Sequence, residues 1–107
     1  MKRGEVWWVN FDPSVGGEIK KKRPAVIVSN DVANRHLNRV QVVPLTSKVD
    51  KVYVSEVRVI FKGKAGKAMA DQLTTVSKLR LLNCDGRVTE DEMGQIEQAI
   101  RVQLGLF

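Results

Sequence analysis

The chain has 107 residues, of which 43% are hydrophobic and 28% charged; this composition suits one globular domain over residues 1–107 and excludes wholesale disorder. The net charge of +6 is unevenly spread, because residues 1–84 contain 16 Lys and Arg against 7 Asp and Glu, whereas residues 85–107 contain 2 against 5. A basic body suggests a polyanionic partner, with nucleic acid as the first candidate and a solvated basic surface as the alternative.

Strand patterns dominate the first half of the chain. Glu5–Phe11 is rich in β-forming residues and predicts a first strand. The turn-type residues that follow make residues 12–23 a long connection, and such connections are more often functional than idle. Ala25–Ser29 predicts a short buried strand, Asn30–Asn38 a polar loop with room for one helical turn, and Val40–Leu45 the next strand.

The pattern continues through the third quarter of the chain. Glu56–Phe61 alternates apolar and polar residues and predicts a half-buried strand. Gly63 and Gly66 are expected to bracket a lysine-rich hairpin turn, after which Lys67–Leu73 predicts a short strand. Thr74–Leu82 is interpreted as a strand end followed by one or two helical turns.

The C-terminal quarter predicts one α-helix, from Glu90 to Leu104. Thr89 and Glu92 have the spacing of a capping box, and Gly105 is the expected stop. Several short strands and one terminal helix predict a mainly β (α+β) fold, with a small, strongly curved sheet of barrel type and short helices between strands. One apolar face recurs at helical spacing: Met93, Ile96, Ile100 and Leu104.

The sparse Cys and His content limits the possible chemistry. Cys84 and His36 are single, so we expect no disulfide framework, no metal site and no cofactor. Cys84 is expected to be a small, at least half-buried hydrophobe and His36 a surface loop residue. No apolar run approaches the roughly 20 residues needed to span a bilayer, and the N-terminus lacks signal-peptide features, so we expect a cytoplasmic protein.

A run of four cations, Lys20–Arg23, ends where Pro24 begins the second strand. Pro24 disfavours the α region at Arg23, so Arg23 should be extended and held at the strand entry. Its planar guanidinium matches a phosphate with two parallel hydrogen bonds, which makes Arg23 a candidate phosphate clamp. Lys20, Lys21 and Lys22 are interpreted as charges that steer a nucleic-acid backbone, with a solvated turn as the alternative.

Hydroxyls at the end of the third strand are a second candidate for phosphate binding. Thr46 and Ser47 are suited to hold a phosphate oxygen, although strand-terminal Thr and Ser are usually only turn residues. If the partner is RNA, cleavage without metal uses the ribose 2′-hydroxyl as the nucleophile, and DNA would be inert. Trp7 and Trp8 are suited either to stacking on RNA bases or to packing in the core. Asp71 is a candidate for substrate binding, with a strand-end cap as the alternative.

Five ordered motifs spread over nearly the whole chain resemble the MazF/PemK family of bacterial toxins. The first begins at Arg3, and the last ends at Leu106. The motifs are Arg3-Gly4-Glu5-Val6-Trp7, Arg23-Pro24-Ala25-Val26-Ile27-Val28-Ser29-Asn30-Asp31, Pro44-Leu45-Thr46-Ser47, Asp71-Gln72-Leu73-Thr74-Thr75-Val76 and Ala99-Ile100-Arg101-Val102-Gln103-Leu104-Gly105-Leu106.

The resemblance implies an SH3-like barrel of short strands with a C-terminal helix, usually found as a homodimer. It also implies a metal-independent, sequence-selective endoribonuclease that acts on single-stranded RNA, inhibits translation and growth, and is blocked by a cognate antitoxin. A basic groove is suited to an acidic, partly disordered antitoxin segment that folds on binding.

By position, the resemblance also implies roles for individual residues. Arg23 and Thr46 match the catalytic arginine and threonine of the family. The loop over residues 12–22 matches a mobile cover in which Glu18 faces RNA, and Gln72 matches a substrate-contacting glutamine. Thr74 stands where many relatives have Arg, which leaves one fewer cation near the RNA path and leaves the target sequence undefined.

Two other functions remain open from the sequence. A CcdB-like toxin shares the barrel but binds DNA gyrase and cleaves nothing, and in that case Arg23 is dispensable. A non-enzymatic SH3-like module uses only the basic body, and it binds RNA without cleavage.

Overall fold

The computed structural model describes residues 1–13, 15–17 and 21–106. In these residues the backbone forms seven β-strands, two α-helices, and 3-10 turns at Ala70–Gln72 and Lys78–Arg80. No helix in the described ranges is long and apolar enough to cross a membrane. The strands are β1 (Glu5–Asn10), β2 (Lys22–Ile27), β3 (Arg39–Thr46), β4 (Glu56–Phe61), β5 (Lys64–Met69), β6 (Thr74–Ser77) and β7 (Leu81–Arg87), and the helices are α1 (Asp31–His36) and α2 (Glu90–Leu104).

The described strands form a curved, half-barrel sheet in the order β4-β5-β3-β2-β1-β7, with antiparallel neighbours. β3 is central because it pairs with β2, with β6 along its first half and with β5 at its end. The 3-10 turn Ala70–Gln72 joins β5 to β6, so both strands can follow β3. The predicted mainly β fold with a C-terminal helix is therefore confirmed.

Both faces of the central strands are buried. Successive side chains of a strand point to opposite faces, so alternate residues of β2 enter two hydrophobic clusters. Val26 packs into the cluster that contains Ile96 and Ala99 of α2, whereas Ala25 and Ile27 pack into the cluster on the other face. Residues of β6 and β7 take part in this second cluster. Hydrophobic packing therefore holds β2 on both faces from Ala25 to Ile27, whereas its first residue, Lys22, is exposed.

Helix α2 begins and ends where the sequence predicts. The Glu92 N–H donates to Thr89 Oγ1 (3.1 Å) and the Thr89 N–H donates to Glu92 Oε1 (2.8 Å), which confirms the capping box. Gly105 ends the helix in the left-handed conformation, with φ of 69°. Ile96 is fully buried, but Leu104, expected on the same apolar face, is 54% exposed.

The second strand and the following loop differ from the predicted boundaries. β2 begins at Lys22, earlier than the predicted Ala25–Ser29, because Lys22 pairs with Asn10 of β1. Pairing between strands is a tertiary contact, so the local sequence does not show it. The polar segment predicted to have room for one helical turn contains the short helix α1. Asn30 caps this helix: its side-chain oxygen accepts a hydrogen bond from the Ala33 N–H (2.8 Å).

Two predictions in the second half of the chain are wrong. Gly66 lies inside β5 and not at the end of a hairpin turn, because the turn closes at Lys62 and Gly63. Cys84 is exposed and not buried, because it lies on β7 at the edge of the described sheet. β7 was not predicted as a strand. Leu81 is its one buried residue, so its sequence does not show the alternation of apolar and polar residues that identifies a half-buried strand.

Thr89→Ala is expected to lower the free energy of unfolding by about 1 kcal/mol, because α2 loses a capping hydrogen bond. Thr89→Ser retains the hydroxyl and should be close to wild type. Urea-induced unfolding followed by circular dichroism measures both. An alanine variant as stable as the wild type would show that the helix end does not depend on this cap.

Candidate active site

A cleft of about 640 Å³ opens where β2 begins and β3 ends. The hairpin between β4 and β5 forms another side, and Trp8 of β1 contributes to the wall. Five residues that the sequence analysis selected line this cleft: Lys21, Lys22, Arg23, Thr46 and Ser47.

Arg23 and Thr46 are brought together by the antiparallel pairing of β2 with β3. Ala25 pairs with Pro44, so the same register continued by two residues sets Arg23 opposite Thr46. Opposite side chains in antiparallel strands have Cβ atoms about 4.5–5.5 Å apart and point to the same face. Both side chains line the cleft and are partly buried. A guanidinium and a hydroxyl can therefore reach one ligand together.

Backbone groups contact Thr46 at two places, its hydroxyl and its carbonyl oxygen. The Lys48 N–H donates to Thr46 Oγ1 at 3.3 Å, which leaves the hydroxyl proton for another acceptor. On β5, a Cβ atom at Gly66 would stand 3.0 Å from the Thr46 carbonyl oxygen. Glycine at this position lets the two backbones approach closely.

A buried ion pair holds the loop that follows Thr46. Lys67 Nζ lies 2.9 Å from Glu56 Oε1 and donates to the Lys51 carbonyl oxygen at 2.6 Å. Both charged side chains are 8% exposed, and such buried charges need their partners. Residues 47–55 are thus tied to β5 beside the cleft.

Positive charge surrounds the cleft. Of the described residues that line it, five are cationic and none is a carboxylate. A concave site lined by one sign of charge concentrates ligands of the opposite sign. The five cations are Lys21, Lys22, Arg23, Lys62 and Lys64.

The connection between β1 and β2 is tied down at its base. The Lys21 N–H donates to Asp12 Oδ1 at 2.8 Å, and Lys22 already belongs to β2. The prediction of mobile loop lysines is therefore wrong for Lys22. Glu18 and Lys20, the other loop residues expected to contact substrate, lie outside the described residues.

Asp85 of β7 connects two residues of the cleft wall. Its Oδ2 accepts hydrogen bonds from Trp8 Nε1 and Lys62 Nζ, each at 2.9 Å. The hydrogen bond from Trp8, together with that from Lys62, holds the pKa of Asp85 below its ordinary value. The carboxylate is therefore ionised at neutral pH and accepts both hydrogen bonds.

The structure does not bring Asp71 and Gln72 into the cleft. Both belong to the 3-10 turn that follows β5, and β5 leaves the cleft as it runs from Lys64 to Met69. A contact with these residues needs a ligand that extends beyond the cleft. Their role in substrate binding stays a prediction.

No group of three His, Cys, Asp or Glu side chains suited to a metal ion occurs in residues 1–13, 15–17 and 21–106. His36 is exposed at the last residue of α1. The functional groups that line the cleft are cations, hydroxyls and aromatic rings.

Residues 2–104 match the family of PemK-like, MazF-like toxins of type II toxin-antitoxin systems. The chain belongs to this family. The curated relative Endoribonuclease MazF9 of Mycobacterium tuberculosis (strain ATCC 25618 / H37Rv) is 39% identical, over 100% of this chain and 98% of the relative.

Solved structures agree with this membership. An endoribonuclease in complex with its cognate antitoxin from a mycobacterial species has a TM-score of 0.85 and 29% identity, over 100% of this chain and 97% of that chain. MazF from Deinococcus radiodurans has a TM-score of 0.88 and 25% identity, over 98% of this chain and 96% of that chain.

Membership of the MazF-like family decides among the functions that the sequence left open. The relatives are named endoribonucleases, so neither a CcdB-like gyrase poison nor a non-enzymatic SH3-like module is supported.

Part of the cleft of this MazF-like chain was not predictable from the sequence. Trp7 and Trp8 point to opposite faces of β1: Trp7 packs against the second hydrophobic cluster, whereas Trp8 lines the cleft. Strand alternation separates the two residues, but the local sequence does not show which face meets the cleft. Phe11 also packs against the second cluster. Other lining residues that were not predicted include Val59, Phe61, Lys62, Lys64 and Gly66.

Gly66→Ala is expected to destabilise the protein by roughly 1–3 kcal/mol, because the new Cβ forces the Thr46 backbone to move. A displacement of this kind should also slow RNA cleavage by about tenfold or more. Thermal unfolding and a cleavage assay measure the two effects.

Gly94→Ala is the matched control, because a Cβ at this helical position meets nothing within 4 Å. Alanine in the interior of α2 should stabilise the protein by up to about 1 kcal/mol and leave cleavage unchanged. A Gly66→Ala variant that behaves like Gly94→Ala would contradict the close approach of β5 to Thr46.

Proposed function

We propose that this chain is an endoribonuclease toxin that cleaves single-stranded RNA in a sequence-selective way, without a metal ion, and that the cleft is its active site. The observation that carries the proposal is that Arg23 and Thr46 line one cleft together with four lysines. The relatives named endoribonucleases support the reaction class. Cleavage of mRNA, or alternatively of tRNA or rRNA, inhibits translation, which explains how the chain acts as a toxin.

The RNA itself supplies the nucleophile. The 2′-hydroxyl of one ribose attacks the adjacent phosphorus, so an O2′–P bond forms while the P–O5′ bond to the next nucleotide breaks. The 2′-hydroxyl loses a proton and the departing O5′ gains one. The products are a 2′,3′-cyclic phosphate and a 5′-hydroxyl, and DNA cannot react because it lacks the 2′-hydroxyl.

Arg23 and Thr46 stabilise the charge that develops on the phosphoryl oxygens. The Arg23 guanidinium is protonated at neutral pH, so it acts by charge and by its paired donors. Thr46 donates its hydroxyl proton to the same phosphate, beside Ser47. Donors that are held in place before the reaction contribute most to such catalysis.

A cognate antitoxin is proposed to block this cleft with an acidic, partly disordered segment. The cationic rim attracts acidic side chains as it attracts phosphates. One structural relative is an endoribonuclease in complex with its cognate antitoxin. An acidic segment in the cleft would exclude RNA from Arg23 and Thr46.

The proposed function also bears on the domain organisation, the oligomeric state and the cellular location of the chain. We infer that residues 1–107 form one toxin domain that acts as a homodimer in the cytoplasm, where mRNA is available. A domain of this length is only marginally stable alone, so dimerisation would help it.

Arg23→Ala is expected to reduce the cleavage rate by roughly 10²–10³-fold, because it removes a preorganised donor to the transition state. Arg23→Lys should also be poor, since the bidentate fork is lost, and Thr46→Val should be slow because the hydroxyl is gone. Arg35→Ala, at an exposed residue of α1, is the matched control and should cleave normally. The assay sequences the ends produced from a mixed RNA pool, with and without EDTA.

Two results would contradict the proposal. Near-normal cleavage by Arg23→Ala would show that the guanidinium is not part of the reaction. Complete loss of wild-type cleavage in EDTA would show that a metal ion is required.

Lys21 and Lys22, beside Arg23, are expected to increase the affinity for RNA in a way that weakens as the salt concentration rises. Lys21→Gln/Lys22→Gln should reduce the slope of log affinity against log salt by roughly 0.7 for each lost phosphate contact. The matched pair Arg35→Gln/Arg39→Gln removes the same charge at exposed positions outside the cleft. Fluorescence anisotropy with labelled RNA measures both slopes, and equal slopes for the two double variants would show that the lysines do not contact the RNA backbone.

A further inference from the structure

The cleft contains an aromatic surface that the cleavage chemistry does not use. Trp8 and Phe61 both line the cleft, with ring centroids 6.5 Å apart and ring planes at 60°. Leu45 and Val59 add apolar side chains beside them. The cleft therefore combines an aromatic wall with a cationic rim, and single-stranded nucleic acids bind to such surfaces through their bases and phosphates, respectively.

The Trp8 ring is held from outside the cleft by Asp85. The indole Nε1 donates to Asp85 Oδ2, and Lys62 Nζ donates to the same oxygen. Asp85 does not line the cleft, but its carboxylate restrains both a ring and an ammonium that do. A ring that is restrained before binding loses little rotational freedom when a base stacks on it, which favours affinity.

We propose that Trp8 and Phe61 form a stacking subsite for one base of the RNA, and that Asp85 is the positioning residue of this subsite. The inference rests on the proposed RNA-cleaving function and adds to it a place where the base next to the reacting phosphate is held. Lys62, on the same carboxylate, lies where it can meet a flanking phosphate.

The simpler alternative is that the three residues only stabilise the fold. The two ends of the described sheet order are β4 and β7. Asp85 lies on β7 and Lys62 lies on the turn that follows β4, so their ion pair also helps to close the curved sheet. Lys62 is 60% exposed, and such surface pairs contribute little to stability. The test must therefore separate binding from stability.

The first measurement uses Trp8 as its own reporter. The sequence has two tryptophans, so Trp7→Phe leaves Trp8 as the single fluorophore. A random-sequence single-stranded DNA pool, which lacks the 2′-hydroxyl and is not cut, should quench Trp8 fluorescence by stacking. The matched variant Trp8→Phe retains only Trp7, which packs against the second hydrophobic cluster, and should show no quenching.

The second measurement separates KM from kcat in RNA cleavage. Trp8→Leu should raise KM about tenfold and leave kcat within about threefold, because stacking contributes binding more than chemistry. Trp8→Phe preserves a ring and should give an intermediate KM; it tests the same point if Trp8→Leu does not fold. Each variant's thermal unfolding is recorded beside its kinetics.

Asp85 is tested by a graded pair of variants. Asp85→Ala removes both hydrogen bonds and should raise KM severalfold, whereas Asp85→Asn retains an acceptor for Trp8 and should recover part of the affinity. Asp91→Asn removes the same charge from the exposed surface of α2, outside the cleft, and should behave like wild type. A purely structural role would not produce this graded rescue of KM at an unchanged unfolding temperature.

The outcomes distinguish the two proposals. If wild-type protein does not cleave RNA, the proposed function fails, and quenching by the DNA pool still decides whether the subsite binds bases. If RNA is cleaved but Trp8 fluorescence is unchanged by the pool and KM is the same in the Trp8 variants, the stacking subsite is refuted. If the Asp85 variants change only the unfolding temperature, Asp85 is not a positioning residue.

Discussion

The register between β2 and β3 is the constraint on which the proposed active site depends. Pairing of Ala25 with Pro44 sets Arg23 opposite Thr46, although 22 residues separate them in the chain. A slip by one residue would turn one strand's side chains to the other face. Val26 fills one buried cluster, and Ala25 and Ile27 fill the other, so such a slip would place each of these side chains in the wrong cluster. Core packing thus fixes the positions of the two residues that we propose to be catalytic.

The cleft is supported by residues that do not enter it or that present only backbone. Gly66 allows β5 to approach the Thr46 carbonyl, and the buried Lys67–Glu56 pair ties down the loop after Thr46. Asp85 does not line the cleft, but it restrains the Trp8 ring that does. Support on several sides holds the groups of the cleft in place before a ligand binds, and donors held in place in this way stabilise developing charge best.

The sequence predicted most of the fold and the centre of the site. Helix α2 was predictable to the residue because the capping box, the apolar spacing and Gly105 are all local signals. β7 was not, since it is an edge strand with one buried residue and depends on pairing with β1. Arg23 stood out because Pro24 follows it, whereas nothing local distinguishes Lys62 from the other lysines of its hairpin.

The sequence alone determined the C-terminal helix, most of the strands, the basic character, the family resemblance and the two candidate phosphate-binding residues, because these are properties of composition and of short motifs. Only the tertiary structure decided that Trp8 and not Trp7 meets the cleft, that Lys22 lies in a strand, and that Asp85 holds the cleft wall. Each of these depends on which strand lies beside which, and strand pairing joins residues that are distant in the chain.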